Sequence, residues 1–489
     1  MPMNSRFSRR HFLAGSAALA AAAALPSLSR AAPAPTILRV VKRSLEVNGR
    51  AASVFGIHQP DGTHGLTTIA GTPFYVRLEN QAGEATLVHW HGLTPPSAQD
   101  GVPGLSQPLL APGAAYDYNF PLQRAGTFWM HSHHGLQEQG LLAAPLIVHD
   151  PLDFFTGTTD VVVMLHDFTF RDPADIYAEL TGGGMMMDHS AMGQGMEMGD
   201  SGMAGMEHGA MPAGMAHLND VEYDAYLAND RTLDDPEIVG VEPHRPVRLR
   251  IINGSASTNF WIDLGQLNGQ LLAVDGSDCV AVSGAGTLRG RRFPLAMSQR
   301  VDVMLAQLVP GAYPILARRE GDTAQTGIIL ATPGAAIDRI SARAAEPAPA
   351  LTLDLERSLV PRTAPPARAA DRRLARELTG TMMGFVWGLN GRKFGAHQPL
   401  PVRQGERVEI EIINRTDMSH PMHLHGHTFQ VVAIDGQRLN GPLRDTVLVP
   451  VNGRVTIAFD AGNPGRWAFH CHNLYHMAAG MMTTVEYEA

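Results

Sequence analysis

A local pattern that recurs three times constrains this chain more than anything else in it. GTPFYVRLEN ends at Asn80, PHRPVRLRIIN at Asn253 and GERVEIEIIN at Asn414, at spacings of 173 and 161 residues. In each run the side chains alternate in character, the period of a strand with one buried face, and the run closes on Asn. A second feature follows each time: AGTFWMHSHH from Gly126, PGAYPILARR from Gly311 and PGRWAFHCHN from Gly465, where a Gly opens an aromatic, alternating strand. Two matched features in the same order predict three copies of one β domain, each of roughly 110 to 170 residues. Short β runs between Gly/Pro turns read as sandwiches. Helix is expected only in short pieces such as DPADIYAEL, residues 172–180.

What lies around the copies sets compartment and partners. In SRRHFLAGSAALAAAAALPSLSRAA, Arg9 and Arg10 precede a short apolar run and small residues around Ala31. That is a twin-arginine export signal, occupying residues 1–35. The run is too short and too Ala-rich to span a bilayer. The expectation is a soluble periplasmic monomer without stable membrane insertion, delivered by the twin-arginine export machinery, which moves folded proteins. Formal net charge is −9, and the four arginines of residues 1–35 face no acid there, so the remainder is more acidic still. That balance excludes nucleic acid and anionic lipid as partners. The copies are expected at 36–152, 158–335 and 374–489, with 336–373, rich in Ala, Pro and Arg, as a linker. Residues 182–217 hold ten Met and three His, a composition that cannot build a core.

The chain has two cysteines, Cys279 and Cys471. Exported proteins often use disulfides, but Cys471 stands among histidines and Cys279 reads as a small buried hydrophobe, so no bridge is expected. The histidines themselves fall into pairs. His89/His91, His131/His133, His423/His425 and His470/His472 are each His-x-His. In a strand such a pair turns both imidazoles to one side, and imidazole suits copper, zinc, iron or nickel. The pairs occupy matched places in the first and third copies. The middle copy carries Asn259-Phe260-Trp261 and Leu316 there instead and reads as a structural spacer.

Cys471 lies between His470 and His472 and therefore points to the opposite face of its strand, toward a different metal. His476 follows at Cys+5 and Met481 at Cys+10. Steps of five do not track a helix face, so the strand is expected to lead into a tight turn that folds back. His420, left over from its cluster, supplies a second imidazole. His420, Cys471, His476 and a weak axial Met481 make the His₂Cys–Met set of a blue copper site. Cys471 is then one peptide step from His470 and from His472, a covalent electron path between two centres.

HWHG (89–92), HSHH (131–134), HPMHLHGH (420–427) and HCHNLYHMAAGM (470–481) resemble, in order, the four signature motifs of the multicopper oxidases, and the likeness covers nearly the whole mature chain. The resemblance implies an all-β fold of three consecutive cupredoxin-like Greek-key β-sandwich domains. It implies four copper ions, one type 1, one type 2 and two type 3, and an oxidoreductase that couples four one-electron oxidations to reduction of O₂ to water. Carried over by motif, type 1 copper takes His420, Cys471, His476 and Met481, and type 2 copper takes His89 and His423. The type 3 pair takes His91, His131 and His472 on one side and His133, His425 and His470 on the other. His134 and His427 fall outside the ligand pattern. The axial Met implies a lower-potential blue site than a Leu or Phe there. Asp100, nine residues after His91, resembles the family carboxylate that serves proton transfer; a turn-forming Asp before Gly is the plainer reading. Many bacterial members carry a Glu directly after the last type 1 histidine, whereas this chain has Met477, which puts the proton route in question.

The reductant is less sharply written. Thioether sulfur is soft and prefers Cu(I). The Met-rich stretch, with Asp188, His189 and His208, resembles segments of periplasmic cuprous oxidases and copper-resistance oxidases. Met185, Met186, Met187 and His189 are candidate Cu(I) ligands there, and Met418, Asp417, Met382 and Met383 are candidates beside the blue site. The expected function is oxidation of Cu(I) in copper tolerance. One alternative is a laccase-like oxidase of phenols and aromatic amines, with an exposed edge of His420 or His476 as electron entry. Another is a periplasmic copper-sequestering protein, against which the complete set of twelve ligands argues.

Overall fold

In the computed structural model, residues 34–182, 218–282, 286–306 and 308–488 are described, and Thr36–Ala489 form one compact unit. The three repeats fold alike because the same local device ends the same strand. In strand Pro73–Asn80, Phe74, Val76 and Leu78 alternate inward and are buried, as the period-two pattern requires. The closing Asn80 turns its side-chain oxygen to the amide of Ala82 and donates its amide to the carbonyl of Leu110. Asn253 does the same with Ser255 and Leu295, and Asn414 with Thr416 and Val449. An Asx turn thus ends each strand and ties it to a neighbouring segment, which is why all three runs close on Asn.

Pairing repeats as well. The first strand of each copy runs parallel to the Asn-terminated strand: Thr36–Val47 with Pro73–Asn80, Thr159–Phe168 with Val247–Asn253, Arg372–Thr381 with Arg407–Asn414. A second parallel pair closes the other sheet of each copy, where Leu66–Ile69, Ile238–Gly240 and Leu400–Val402 meet the copy's last long strand. The result is three consecutive two-sheet sandwiches, of four and four, eight and five, and seven and five strands, each with its own apolar core. Cys279 is buried in the middle core, and neither it nor Cys471 forms a disulfide.

One stretch differs from expectation. Within 336–373 the chain forms a short helix, Asp354–Ser358, and a strand, Leu359–Pro361, that pairs with Ser277–Ala281. Its leucines do this: Leu351, Leu353, Leu355 and Leu359 are buried, and buried Glu320 accepts the amide of Leu351. The Ala/Pro/Arg composition hid an apolar series that packs. Pro173–Thr181 is a true helix, capped by Asp172, whose side chain accepts the amide of Ala174, with Pro at its first turn.

Candidate metal centres

The histidine pairs meet because strands from two domains face each other. In the first domain Val88–His91 pairs with Gly126–Ser132 and sets His89 opposite His131. In the third, His420–Leu424 pairs with Arg466–Cys471 and sets His423 opposite His470. Alternation turns all eight rings into one buried space between the two sheets.

Three all-histidine sets of donors gather there, each with ligating atoms within 4.8 Å of one another: His89, His91 and His423; His91, His131 and His472; His133, His425 and His470. In the last set the Nε2 atom of His470 lies 2.9 Å from that of His425 and 3.4 Å from that of His133. Elsewhere Nε2 of His89, His131, His423 and His472, and Nδ1 of His91, are buried without a hydrogen-bond partner. A buried ring nitrogen left without a partner costs about 1–3 kcal/mol. So many converging unpaired nitrogens fit metal ions and little else. The opposite ring nitrogens are anchored: Nδ1 of His89 donates to the Asp100 carbonyl at 2.8 Å, and Nδ1 of His423 to the Asp445 carbonyl at 2.8 Å. The Asp100 carboxylate bridges the domains, with Oδ2 2.8 Å from His425 Nδ1 and Oδ1 3.3 Å from His89 Nδ1.

On the far face of the Cys471 strand a fourth set forms. His420 Nδ1 and His476 Nδ1 are 3.1 Å apart, and Cys471 Sγ is 3.6 and 3.7 Å from them. Three donors held about 2.0–2.3 Å from one ion at trigonal angles stand roughly 3.5–3.7 Å apart, so this set fits a single metal. Met481 is buried beside it, its backbone bonded to both ligand positions: its carbonyl accepts the Cys471 amide and its amide donates to the His476 carbonyl, each at 3.0 Å. The fold-back after Cys471 is a six-residue helix, Leu474–Ala479, rather than a bare turn. Asn473 caps its start by accepting the amides of Tyr475 and His476, and Gly480 ends it. Those cap residues stand in HCHNLYHMAAGM itself, between the ligand positions.

Burial keeps eight of these rings neutral. It pushes His91, His131, His133, His420, His423, His425 and His472 well below the usual histidine range, and His470 down to about 4, with neighbouring imidazoles adding to the shift. Neutral imidazole is the ligating form. The chain stripped of metal by a chelator is therefore expected to be acid-labile. A histidine with a depressed folded value contributes stability above its unfolded value of 6.5 and loses it as pH falls through about 4. Urea midpoints of the chelated protein, measured from pH 7.5 to 4, should fall steeply; a flat profile would contradict neutral burial.

Other expected residues are scattered. His427 is buried and bonds Tyr487 Oη at 2.7 Å, and His134 is half-buried. Met418 packs into the third core, Met382 lies at its margin, and Asp417 and Met383 are exposed. Met185, Met186, Met187 and His189 lie outside the described residues. His420 and His476 have no exposed edge: both are 0% exposed. That corrects the expectation of an open histidine for electron entry. Thr416 Oγ1 lies 2.7 Å from His420 Nε2, and Asp220 Oδ2 stands 3.0 Å from His476 Nε2, off the line of a well-formed hydrogen bond.

Three acids at the centres went unread in the sequence. Asp220 closes on His476. Asp445 reaches His91 Nε2 at 3.1 Å. Glu138 sits 2.7 Å from His131 Nδ1, its carboxyl raised well above the ordinary range by burial and by Asp167. None belongs to a histidine motif; their only signal is an acid that the tertiary fold buries.

Residues 48–153 and 368–489 each match the multicopper oxidase family, and residues 6–26 match the twin-arginine translocation pathway signal sequence. The chain is 31% identical to the multicopper oxidase MmcO of Mycobacterium tuberculosis, over 99% of this chain and 97% of that one. It is 28% identical to copper resistance protein A of Pseudomonas syringae pv. tomato, over 99% of this chain and all of the relative. In fold it is similar to the laccase from Botrytis aclada, with a TM-score of 0.71 at 22% identity, covering 94% of this chain and 89% of that one. This chain belongs to the multicopper oxidase family. It is an oxidoreductase of four coppers, one type 1, one type 2 and a type 3 pair, exported to the periplasm by the twin-arginine route. When bound, the coppers supply one-electron chemistry and the site at which O₂ is reduced; the chain supplies donors, proton groups and the path between centres.

Proposed function

We propose that this oxidase takes its electrons from Cu(I). One observation carries the reading. His476 is fully buried, and its outer nitrogen faces Asp220 rather than solvent. A phenol needs an open ring edge to approach. A small soft cation handed over by thioethers and a carboxylate does not. Asp220 follows the Met-rich stretch by three residues. On the other flank, Tyr177 donates to the carbonyl of Ala478, two residues from His476. Ile176 and Val221 share the apolar core that contains Tyr475 and Met481. Both described flanks of the Met-rich stretch therefore end against the His476 helix. The name of the similar copper resistance protein agrees with a role in copper tolerance.

In this reading His420, Cys471, His476 and Met481 hold type 1 copper, and His89 and His423 hold type 2. His91, His131 and His472 hold one type 3 ion, and His133, His425 and His470 the other. The domains run 36–152, 158–335 and 374–489. Asp220, with Oδ1 unpaired, is the group on which an incoming Cu(I) docks. Oxygen uptake by the copper-loaded protein is expected to be faster with Cu(I) than with a phenol, and deleting residues 184–217 should slow the Cu(I) reaction selectively. Faster phenol oxidation, undiminished by the deletion, would instead favour a laccase.

A further inference from the structure

We infer that Arg300, a residue of the middle domain, is a positioning residue that decides which nitrogen His91 presents to the copper cluster. The inference rests on the reading of His91 as a cluster ligand.

His91 is turned the opposite way from its neighbours. His89, His131 and His423 engage Nδ1 with an oxygen and leave Nε2 unpaired. His91 engages Nε2, 3.1 Å from Asp445 Oδ1, and leaves Nδ1 unpaired. A neutral imidazole carries one ring proton, and the acceptor it meets decides which nitrogen holds it. Asp445 therefore fixes the inverted tautomer of His91, and the same residue's carbonyl fixes the ordinary one of His423.

Asp445 takes one bond from its neighbour, Thr446 Oγ1 donating to Oδ1 at 3.1 Å, and the paired hold on both its oxygens comes from Arg300. Arg300 Nη1 and Nη2 donate to its two carboxylate oxygens at 2.7 and 2.6 Å, a paired fork that sets the plane of the carboxylate. The fork is anchored in turn: Nε donates to the Thr127 carbonyl of the first domain at 3.1 Å, and Nη1 to the Ser298 carbonyl at 3.1 Å. Arg300 and Asp445 are almost wholly buried. Two neighbours of Arg300 act on the next residue along: Ser298 Oγ donates to Thr446 Oγ1 at 2.9 Å and Gln299 Nε2 to the Thr446 carbonyl at 3.1 Å. Thr446 Oγ1 lies 3.1 Å from His423 Nδ1. The glycine that follows His91 makes room for the fork. Gly92 has φ of 87°, and a Cβ there would stand 2.5 Å from Arg300 Nη2 and 2.8 Å from Asp445 Oδ2. The middle domain is thus more than the spacer its missing histidines suggested. It lost the metal ligands and kept the group that orients one.

The test uses the full copper-loaded chain with Arg300→Lys, Arg300→Met and Asp445→Asn. Lysine keeps the charge and loses the paired geometry, so it decides the matter if the methionine variant fails to fold. The expected result is an undiminished blue band from the type 1 site together with loss of the near-ultraviolet and type 2 paramagnetic signals. Cluster affinity for copper should fall about 10–100-fold, the usual effect of losing a group that orients a ligating histidine. If every soluble variant binds copper at the wild-type affinity with unchanged cluster spectra, and only its melting temperature falls, Arg300 is merely a clamp between domains and the inference is wrong. If the wild-type protein itself lacks the cluster signals, the ligand reading fails first and takes this inference with it.

Discussion

Replacing Cys471 by Ser is expected to abolish the blue absorption and reduce turnover to the uncatalysed level while leaving the other coppers bound. Cys471 is the only sulfur anion donor at the site where His420 Nδ1 and His476 Nδ1 converge. A hydroxyl is hard and protonated at neutral pH and does not replace a thiolate for copper. The same substitution breaks the electron path, because the peptide of Cys471 joins directly to His470 and His472 on the opposite face. The change is close to isosteric in a fully buried position. The fold should survive at a cost of about 1–3 kcal/mol if the hydroxyl finds no partner. Copper analysis, the visible spectrum and oxygen uptake on one preparation check this together. A serine variant that keeps the blue band would place the type 1 site elsewhere.

Asp100→Asn is expected to separate copper binding from turnover in the opposite sense. The carboxylate stands between His89 of the first domain and His425 of the third and is almost wholly buried. Its backbone carbonyl, not its side chain, makes the shorter bond to His89, and an amide oxygen can still accept from His425. Copper content and the blue band should therefore stay. Proton delivery should not, because Asn cannot give or take a proton, and loss of a positioned proton-transfer group typically costs about 10²–10⁴-fold. The turn at Asp100 is set by the glycine that follows it. Gly101 has φ of 80°, and a Cβ there would lie 1.9 Å from the Val88 carbonyl. Met477, at the place where many bacterial members carry Glu, offers no proton; Asp220 beside His476 and Glu138 beside His131 are the other carboxyls at the centres. Turnover that falls only in step with copper content would make Asp100 a positioning group instead.

Much of this protein was written locally. Period-two alternation and a closing Asn three times over determined three sandwiches, because an Asx turn needs only the residue and its next neighbours. The His-x-His pairs determined which side chains share a face, because strand geometry allows no other arrangement. The lone cysteine between two histidines determined that two centres lie on opposite faces of one strand. The cap residues Asn473 and Gly480 were equally local and show that even the helix after Cys471 was legible.

What the sequence could not determine is set by residues far apart in the chain. The exposure of His476 was one such matter: Asp220 closes it from 256 residues away, and no local pattern ties the two. The proton partners of the rings were another, since Asp445 reaches His91 across 354 residues and Glu138 reaches His472 across the gap between domains. The contribution of the middle domain was a third. Its missing histidines are visible in one dimension, but the use of Arg300 is not, because a buried guanidinium means nothing until packing shows which carboxylate it holds. Ligand types follow from local chemistry and strand period. Their orientation, tautomer and access follow from which distant groups the three domains press against them, and only the tertiary structure decides that.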